Sequence, residues 1–310
     1  MQQAFLIPIL FVAAVSLAGL AYVFIRHSAL VGFYRRTAVD IKRDIVYVDG
    51  SDNPKHQLDL YLPKGTHNYP LIHFIYGGYW TSGDKRYRQW LTGLYGNIGK
   101  NFARRGIGVV VSNYRLAPGV GIDEQLDDVC RAVKWTLTNG KNLSWNGRLY
   151  LMGHSAGGHM VSLLAARPDL LAKYQVSANQ ISGTIALSPV MDIADMAKEH
   201  GDSFNRTVTH AVFGDNKKDW DLYSPLQQFL ALPAHISPYL LCVGEKDFPF
   251  LKQQIPLAAD KLKQSGIRLR LLTIKGYNHS DLVVRFGGIG DNLTTEIIDF
   301  MHQGNFALDS

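Results

Sequence analysis

From Leu71 to the end of the chain, short runs of β-branched and aromatic residues alternate with stretches of helical periodicity, and this alternation constrains the fold more than any other feature. The β-rich runs are Leu71–Tyr76, Ile107–Ser112, Arg148–Met152, Gly183–Leu187, Tyr239–Val243 and Arg268–Ile274. Helical stretches lie among them at Arg88–Arg104, Glu124–Asn139, Ser155–Ala166, Leu251–Gln264 and Leu293–His302. Several of the strands are apolar nearly throughout, as strands covered on both faces must be. The pattern predicts an α/β domain, a mostly parallel sheet with helices on both faces. Two earlier runs, Asp44–Val48 and Gln57–Tyr61, have no helix between them and predict an antiparallel pair at one edge, which makes eight strands in all. Ser188–Ser237 is the least regular stretch and reads as a lid-like, loop-rich excursion between two strands. A chain of 310 residues is long enough to bury one large core of this kind.

The formal net charge of +6 raises the question of a nucleic-acid partner. Arg26, Arg35, Arg36, Lys42 and Arg43 stand against Asp40 in residues 1–43, so that flank carries +4 and the other 267 residues only +2. A nucleic-acid-binding module spreads a basic stripe over its folded surface. Charge confined to a flank predicts no nucleic-acid partner. Cys130 and Cys242 both sit in apolar surroundings and read as core residues, not as a disulfide framework. The absence of C-x-x-C, H-E-x-x-H and G-x-x-x-x-G-K-[ST] strings leaves zinc-protease and P-loop chemistry without support.

Ala4 to Ile25 is a run of 22 residues without a charge. At 1.5 Å per residue a helix of that length spans about 33 Å, enough for the apolar core of a bilayer. Met1-Gln-Gln3 supplies no positive n-region and the run exceeds the apolar core of a signal peptide. These features favour a transmembrane anchor over residues 1–27, although Gly19-Leu20-Ala21 offers a cleavage-like spacing. The basic residues all follow the apolar run, so the positive-inside rule predicts a cytoplasmic domain on a single-pass membrane protein. Residues 28–43 read as a basic juxtamembrane linker, and 44–310 as the folded domain.

The segment Leu149-Tyr-Leu-Met-Gly153-His154-Ser155-Ala156-Gly157-Gly158 is a strand, then G-x-S-x-G, then a helix. Glycines at 153 and 157 permit a tight turn with close backbone approach, which presents a serine hydroxyl at the amino end of the helix. Such a hydroxyl becomes a nucleophile at neutral pH only when a base takes its proton, and histidine is the usual base. His279 follows the last β-rich run in the loop Gly276-Tyr-Asn-His279-Ser-Asp281, where it has the reach to meet the serine. An acid to orient the imidazole is expected in the turn after Tyr239–Val243, where Asp247 is the first choice and Glu245 the second. Asp281 reads as a supporting or surface group. Backbone donors for an oxyanion are expected from the Ala156 amide and from Gly77 and Gly78, in the loop Tyr76-Gly-Gly-Tyr-Trp80. Tyr79 and Trp80 are candidates for the wall of a substrate pocket, with core packing as the competing reading. His159, four residues after Ser155 on the same helix, reads as a packing or supporting residue.

Together these residues resemble the α/β-hydrolase esterases of the hormone-sensitive-lipase-like and kynurenine-formamidase-like group, over about residues 44–303. The likeness rests on Gly153-His-Ser155-Ala-Gly157, on Gly77-Gly-Tyr-Trp80 with Gly83-Asp-Lys85, on Asn113-Tyr-Arg-Leu-Ala-Pro118, and on the Asp247 and His279 loops. It implies an α/β-hydrolase fold and hydrolysis of carboxylic esters or amides through an acyl-enzyme, with Ser155, Asp247 and His279 as the triad and no metal or cofactor. Isoprenylcysteine methylesterase-like proteins are similar in two further respects, an amino-terminal membrane segment and the string His279-Ser-Asp-Leu282. One position departs from the pattern: the group opens its oxyanion loop with His-Gly-Gly, and here Tyr76 stands in place of that histidine. The expectation is a membrane-anchored serine carboxylesterase for small or amphiphilic, lipophilic esters, with residues 44–310 as the catalytic domain. The alternatives are an arylformamidase acting on N-formylkynurenine-type amides and a non-catalytic binding protein on a hydrolase fold.

Overall fold

The computed structural model of the protein describes residues 39–87, 93–231, 237–288 and 290–303. One sheet runs through it in the order β1-β2-β4-β3-β5-β6-β7-β8. The strands are β1 Val39–Val46, β2 Gln57–Pro63, β3 Tyr69–Ile75, β4 Gly108–Ser112, β5 Trp145–His154, β6 Ile181–Leu187, β7 Tyr239–Gly244 and β8 Leu269–Ile274. Each of the eight β-rich runs forms a strand. β1 pairs antiparallel with β2 and β2 with β4, while every pair from β4 to β8 is parallel. β1 starts at Val39 because its ladder with β2 extends to Val39↔Pro63, so the last residues of the expected linker are already strand.

The longer helices are α1 Leu94–Ala103, α2 Ile122–Gly140, α3 Ala156–Ala166, α4 Ile193–Glu199, α5 Pro225–Ala231, α6 Pro249–Gln264 and α7 Leu293–Gln303. They cover the sheet, and β4 and β7 are buried along their whole length. This explains why these strands read as unbroken apolar runs with no alternation. Residues 88–92, the start of the first expected helix, lie outside the described residues. So do residues 1–38 with the expected transmembrane segment; among the described residues no helix is long and apolar enough to cross a membrane. Cys130 and Cys242 are free and buried, and burial pushes the Cys130 thiol up to about 12.

The excursion between β6 and β7 is not the loop-rich segment that the sequence suggests. Besides α4 and α5 it holds short helical pieces at Asp202–Phe204, Asn205–Thr209, His210–Phe213 and Asp219–Tyr223. It sends Ile193, Met196, Val212, Phe213, Trp220, Leu226 and Phe229 into the core. The α-helices α4 and α5 have seven residues each, too short for a 3.6-residue period to show, and the continuous helical run over residues 202–213 is broken in period by its π-helical middle, Asn205–Thr209.

Because β3 to β8 run parallel, their carboxyl ends share one edge of the sheet. The strand order reverses between β3 and its neighbours β4 and β5. A crevice outside the carboxyl ends at such a reversal is where open α/β sheets bind ligands. The glycine loop after β3 and the serine turn after β5 flank that point.

Candidate active site

Ser155 occupies the turn between β5 and α3 with φ 55° and ψ −119°, a positive-φ conformation that a side-chain-bearing residue adopts only when its surroundings impose it. Its amide donates to the Leu187 carbonyl at 2.8 Å, tying the turn to the end of β6. The neighbouring glycines are required by space: a Cβ at Gly157 would lie 2.1 Å from the Ile75 carbonyl oxygen, and one at Gly153 would lie 2.2 Å from that of Gly157. Serine at the start of a helix commonly caps it. Ser155 makes no such bond, so its hydroxyl is not committed to the helix.

The acid–base groups stand on the β7 and β8 loops. His279 Nδ1–H donates to Asp247 Oδ1 at 2.9 Å, which in the neutral imidazole leaves Nε2 as a base. Asp247 is 4% exposed, and both its oxygens are occupied. Oδ1 also accepts the Phe248 amide at 2.8 Å, while Oδ2 accepts the Ser188 hydroxyl and, at 3.3 Å, the Gly244 amide. Burial opposes its charge, but the hydrogen bond and charge of His279, with the bonds from Ser188 and Phe248, outweigh burial and hold the carboxyl below its ordinary value. His154, the residue before the serine, donates from Nε2 to the His279 carbonyl at 3.0 Å, and the two rings lie 4.6 Å apart. Burial, reinforced by His279, pushes His154 down to about 3, so it remains a neutral donor. This contact carries His279 to the serine turn. Among the described residues no hydrogen bond joins the Ser155 hydroxyl to the imidazole.

Glu245, the second choice for the orienting acid, instead accepts the Gly276 amide at 2.7 Å and ties the β7 turn to the β8 loop. Asp281 is buried, not superficial, and its carboxylate accepts the Asn278 amide at 3.1 Å, bracing the loop that carries His279. Ser188 and His154 carry no signal in the sequence. Ser188 follows β6 at φ 45°, and nothing in a Leu-Ser-Pro string marks a partner for an aspartate 59 residues away.

On the other side of the serine the chain is strained backbone. A Cβ at Gly77 would fall 2.8 Å from the His154 oxygen and 2.9 Å from the Ser155 Cβ, so the Gly77 backbone lies directly against the serine. Gly78, Tyr79 and Trp80 follow with φ of 135°, 53° and 59°. The loop is clamped from outside by the Ala117 amide (3.1 Å) and Gln125 Nε2 (2.9 Å), both donating to the Trp80 carbonyl. Ala156 opens α3, and the first amides of a helix have no partner within it.

The expectation that Trp80 walls a pocket is corrected: it is 1% exposed and packs edge-on against His159 and Phe213, because its indole anchors the loop from below. Tyr79 is 39% exposed and meets Phe204 of the excursion at 5.5 Å. From there ring contacts continue through His200 (4.1 Å), Phe250 (5.1 Å) and Phe248 (6.2 Å) to His279 (4.7 Å), an aromatic arc drawn from four segments. Tyr76, which replaces the usual histidine, stacks between Tyr114 (4.7 Å) and Tyr95 (5.6 Å), and the Tyr114 hydroxyl donates to its carbonyl at 3.1 Å.

The remaining singled-out strings interlock behind this loop. Asn113 Oδ1 accepts the Lys85 amide at 2.6 Å and its Nδ2 donates to Asp84 at 2.9 Å. The Lys85 ammonium, 1% exposed, pairs with Asp59 at 2.9 Å and Asp44 at 2.5 Å.

The BD-FAE family model matches residues 58–262. A probable isoprenylcysteine alpha-carbonyl methylesterase of Oryza sativa subsp. japonica is 27% identical over 288 residues, 88% of this chain and 66% of the relative. A kynurenine formamidase of Danio rerio is 29% identical over 228 residues, 73% of this chain and 71% of the relative. The chain spans 57–66% of the length of the plant methylesterases it matches. Among solved structures, esterase B of Lactobacillus rhamnosis superposes with a TM-score of 0.72 at 19% identity, covering 97% of this chain and 95% of that one. A truncated carbohydrate esterase from gut microbiota gives 0.72 at 18% identity, covering 87% and 98%. These likenesses show an α/β-hydrolase fold.

Proposed function

The chain belongs to the BD-FAE family, and on that premise we propose that it is a serine esterase that cleaves carboxylic esters through an acyl-enzyme. The observation that carries the reading is the meeting, at one turn, of the Asp247–His279 pair, the uncapped Ser155 and the Gly77 backbone. Ser155 Oγ attacks the ester carbonyl as His279 Nε2 takes its proton, and Asp247 holds the imidazolium that results. The amides of Ala156 and Gly78 receive the oxyanion, while that of Gly77 donates to the Tyr95 hydroxyl and so fixes the loop. His279 then protonates the departing alcohol, and a water activated by the same base frees the acid. The Ser155–His279 hydrogen bond forms with substrate in place; such bonds are often long in the free enzyme. The relatives named as methylesterases support ester cleavage, and Tyr79 with the aromatic arc suits a lipophilic substrate.

Kynurenine formamidases among the relatives favour a second reading, in which the same groups cleave an arylformamide. Turnover of p-nitrophenyl acetate and butyrate beside N-formylkynurenine separates the two. Esters should be cleaved faster, and the opposite ratio assigns the formamidase. A fluorophosphonate should label the wild-type protein, and Ser155→Ala should lose both labelling and, by at least about 10⁴-fold, turnover. Full activity in that variant overturns the triad. A wild-type chain that is neither labelled nor active across a broad ester panel is a binding protein on a hydrolase fold.

The reading includes an amino-terminal anchor with the catalytic domain on the cytoplasmic side, carried by the uncharged run Ala4–Ile25 and the basic residues after it. Full-length protein should stay in the membrane pellet through alkaline carbonate extraction, and its release into the supernatant refutes the anchor.

A further inference from the structure

One buried side chain outside the triad touches three parts of the site at once. His159 lies on α3 four residues after Ser155 and has no solvent exposure. Trp80 Nε1 donates to its Nδ1 at 3.2 Å, and its Nε2 lies 2.7 Å from the Tyr223 carbonyl oxygen. An indole nitrogen only donates and a carbonyl only accepts. Both contacts are therefore satisfied by one state alone, the neutral imidazole protonated on Nε2. Burial pushes His159 down to about 4, consistent with that state near neutral pH.

The three elements joined are those whose relative placement the reaction needs. α3 carries the nucleophile. Trp80 ends the left-handed stretch Gly78–Trp80, and its indole meets the His159 ring edge-on at 5.1 Å. Tyr223 closes the short helical piece Asp219–Tyr223 in the β6–β7 excursion. Phe213 of the same excursion fills the angle, 4.9 Å from Trp80 and 5.7 Å from His159. Three consecutive residues at positive φ persist only where the surroundings hold them. The backbone of Trp80 is held by Ala117 and Gln125, and its side chain by His159.

We infer that His159 is a positioning residue that locks the oxyanion loop to the nucleophile helix and to the excursion, and so fixes the aim of the Gly78 amide. The inference rests on the esterase reading above. Its signature is kinetic: donors aimed at a developing oxyanion act in the transition state, so misaiming them lowers kcat and leaves KM nearly unchanged.

The test uses the full chain and p-nitrophenyl butyrate, with His159→Leu, His159→Gln, Trp80→Phe and the Trp80→Phe/His159→Leu pair. His159→Leu is expected to lower kcat by about 10- to 100-fold, with KM within about twofold. Glutamine offers both an acceptor and a donor, so His159→Gln should return to within about threefold of wild type. Trp80→Phe should reproduce the leucine loss, and the pair should be no worse than the worse single change, since the two residues act through one bond. Hydrogen exchange should accelerate together in residues 77–84 and 219–226 of His159→Leu. A rise in KM at unchanged kcat, a glutamine variant as impaired as leucine, additive losses, or faster exchange confined to α3 overturns the inference. If His159→Leu does not fold, Trp80→Phe against His159→Gln decides: a full kcat in the phenylalanine variant refutes the lock. A wild-type protein without ester turnover overturns the esterase reading instead, and the exchange pattern then decides the lock alone.

Discussion

The two sides of Ser155 are built from different materials. On the β7–β8 side the site is made of side chains: Asp247 receives four hydrogen bonds and passes its orientation to His279. On the β3 side it is made of backbone, a glycine pressed against the serine and three residues at positive φ, and the side chains there serve to hold the loop. The first side depends on charge and tautomer, so chemically small substitutions should disable it. The second depends on shape, so it should tolerate changes of polarity and fail on an added methyl group or a lost clamp.

Asp247→Asn should break the side-chain half most completely. The amide favours the wrong imidazole tautomer, and kcat should fall by about 10⁴-fold while the fold persists. The same variant has a signature in stability. Because the folded-state pKa of Asp247 is lowered, its ionised form contributes stability above the ordinary carboxylate value, and that contribution is lost as pH falls through the lower folded value. The Tm of Asp247→Asn should therefore fall less steeply than wild type below about pH 4.

Lys85→Met tests the support of the backbone half. It leaves Asp59, with no exposure, without its nearest cation, and should cost about 3–5 kcal/mol in a denaturant titration. Gly77→Ala tests the backbone half directly. The new Cβ displaces the loop from the serine, so kcat should fall by about 10²- to 10³-fold with little change in KM, and the overpacking should cost about 1–3 kcal/mol of stability. Ser188→Ala should have the smallest effect, about tenfold in kcat, because the Gly244 amide still holds Oδ2 of Asp247. A Gly77→Ala variant with full activity, or an Asp247→Asn variant milder than Ser188→Ala, would dissolve the contrast between the halves.

The parts of the site that are side chains with a distinctive chemistry are legible in the sequence. Strand–Gly153-x-Ser155-x-Gly157–helix, a histidine after the last strand and an acid after the seventh each announce themselves by residue type and position in the alternation. The supports do not. Ser188 and His154 are ordinary residues until the fold brings them to Asp247 and His279, and His159, legible from its spacing as a support, does not show that it supports Trp80. Trp80 reads equally as pocket or core, since an aromatic residue signals burial without saying against what. The excursion misleads for another reason, its helices being too short, or too broken by the π-helical turn at Asn205–Thr209, to show a period.

The sequence by itself determined the layered α/β architecture, the edge pair β1–β2 and the strand order along the chain, because burial on two faces or one writes its period into the residues. It also determined which residue types are available for proton transfer. Only the tertiary structure decided that Asp247 rather than Glu245 faces the imidazole, that Lys85 is buried between two carboxylates, and that one histidine ties three segments together. Those choices rest on a few ångströms between residues far apart in the chain, a scale that local propensity and pattern do not encode.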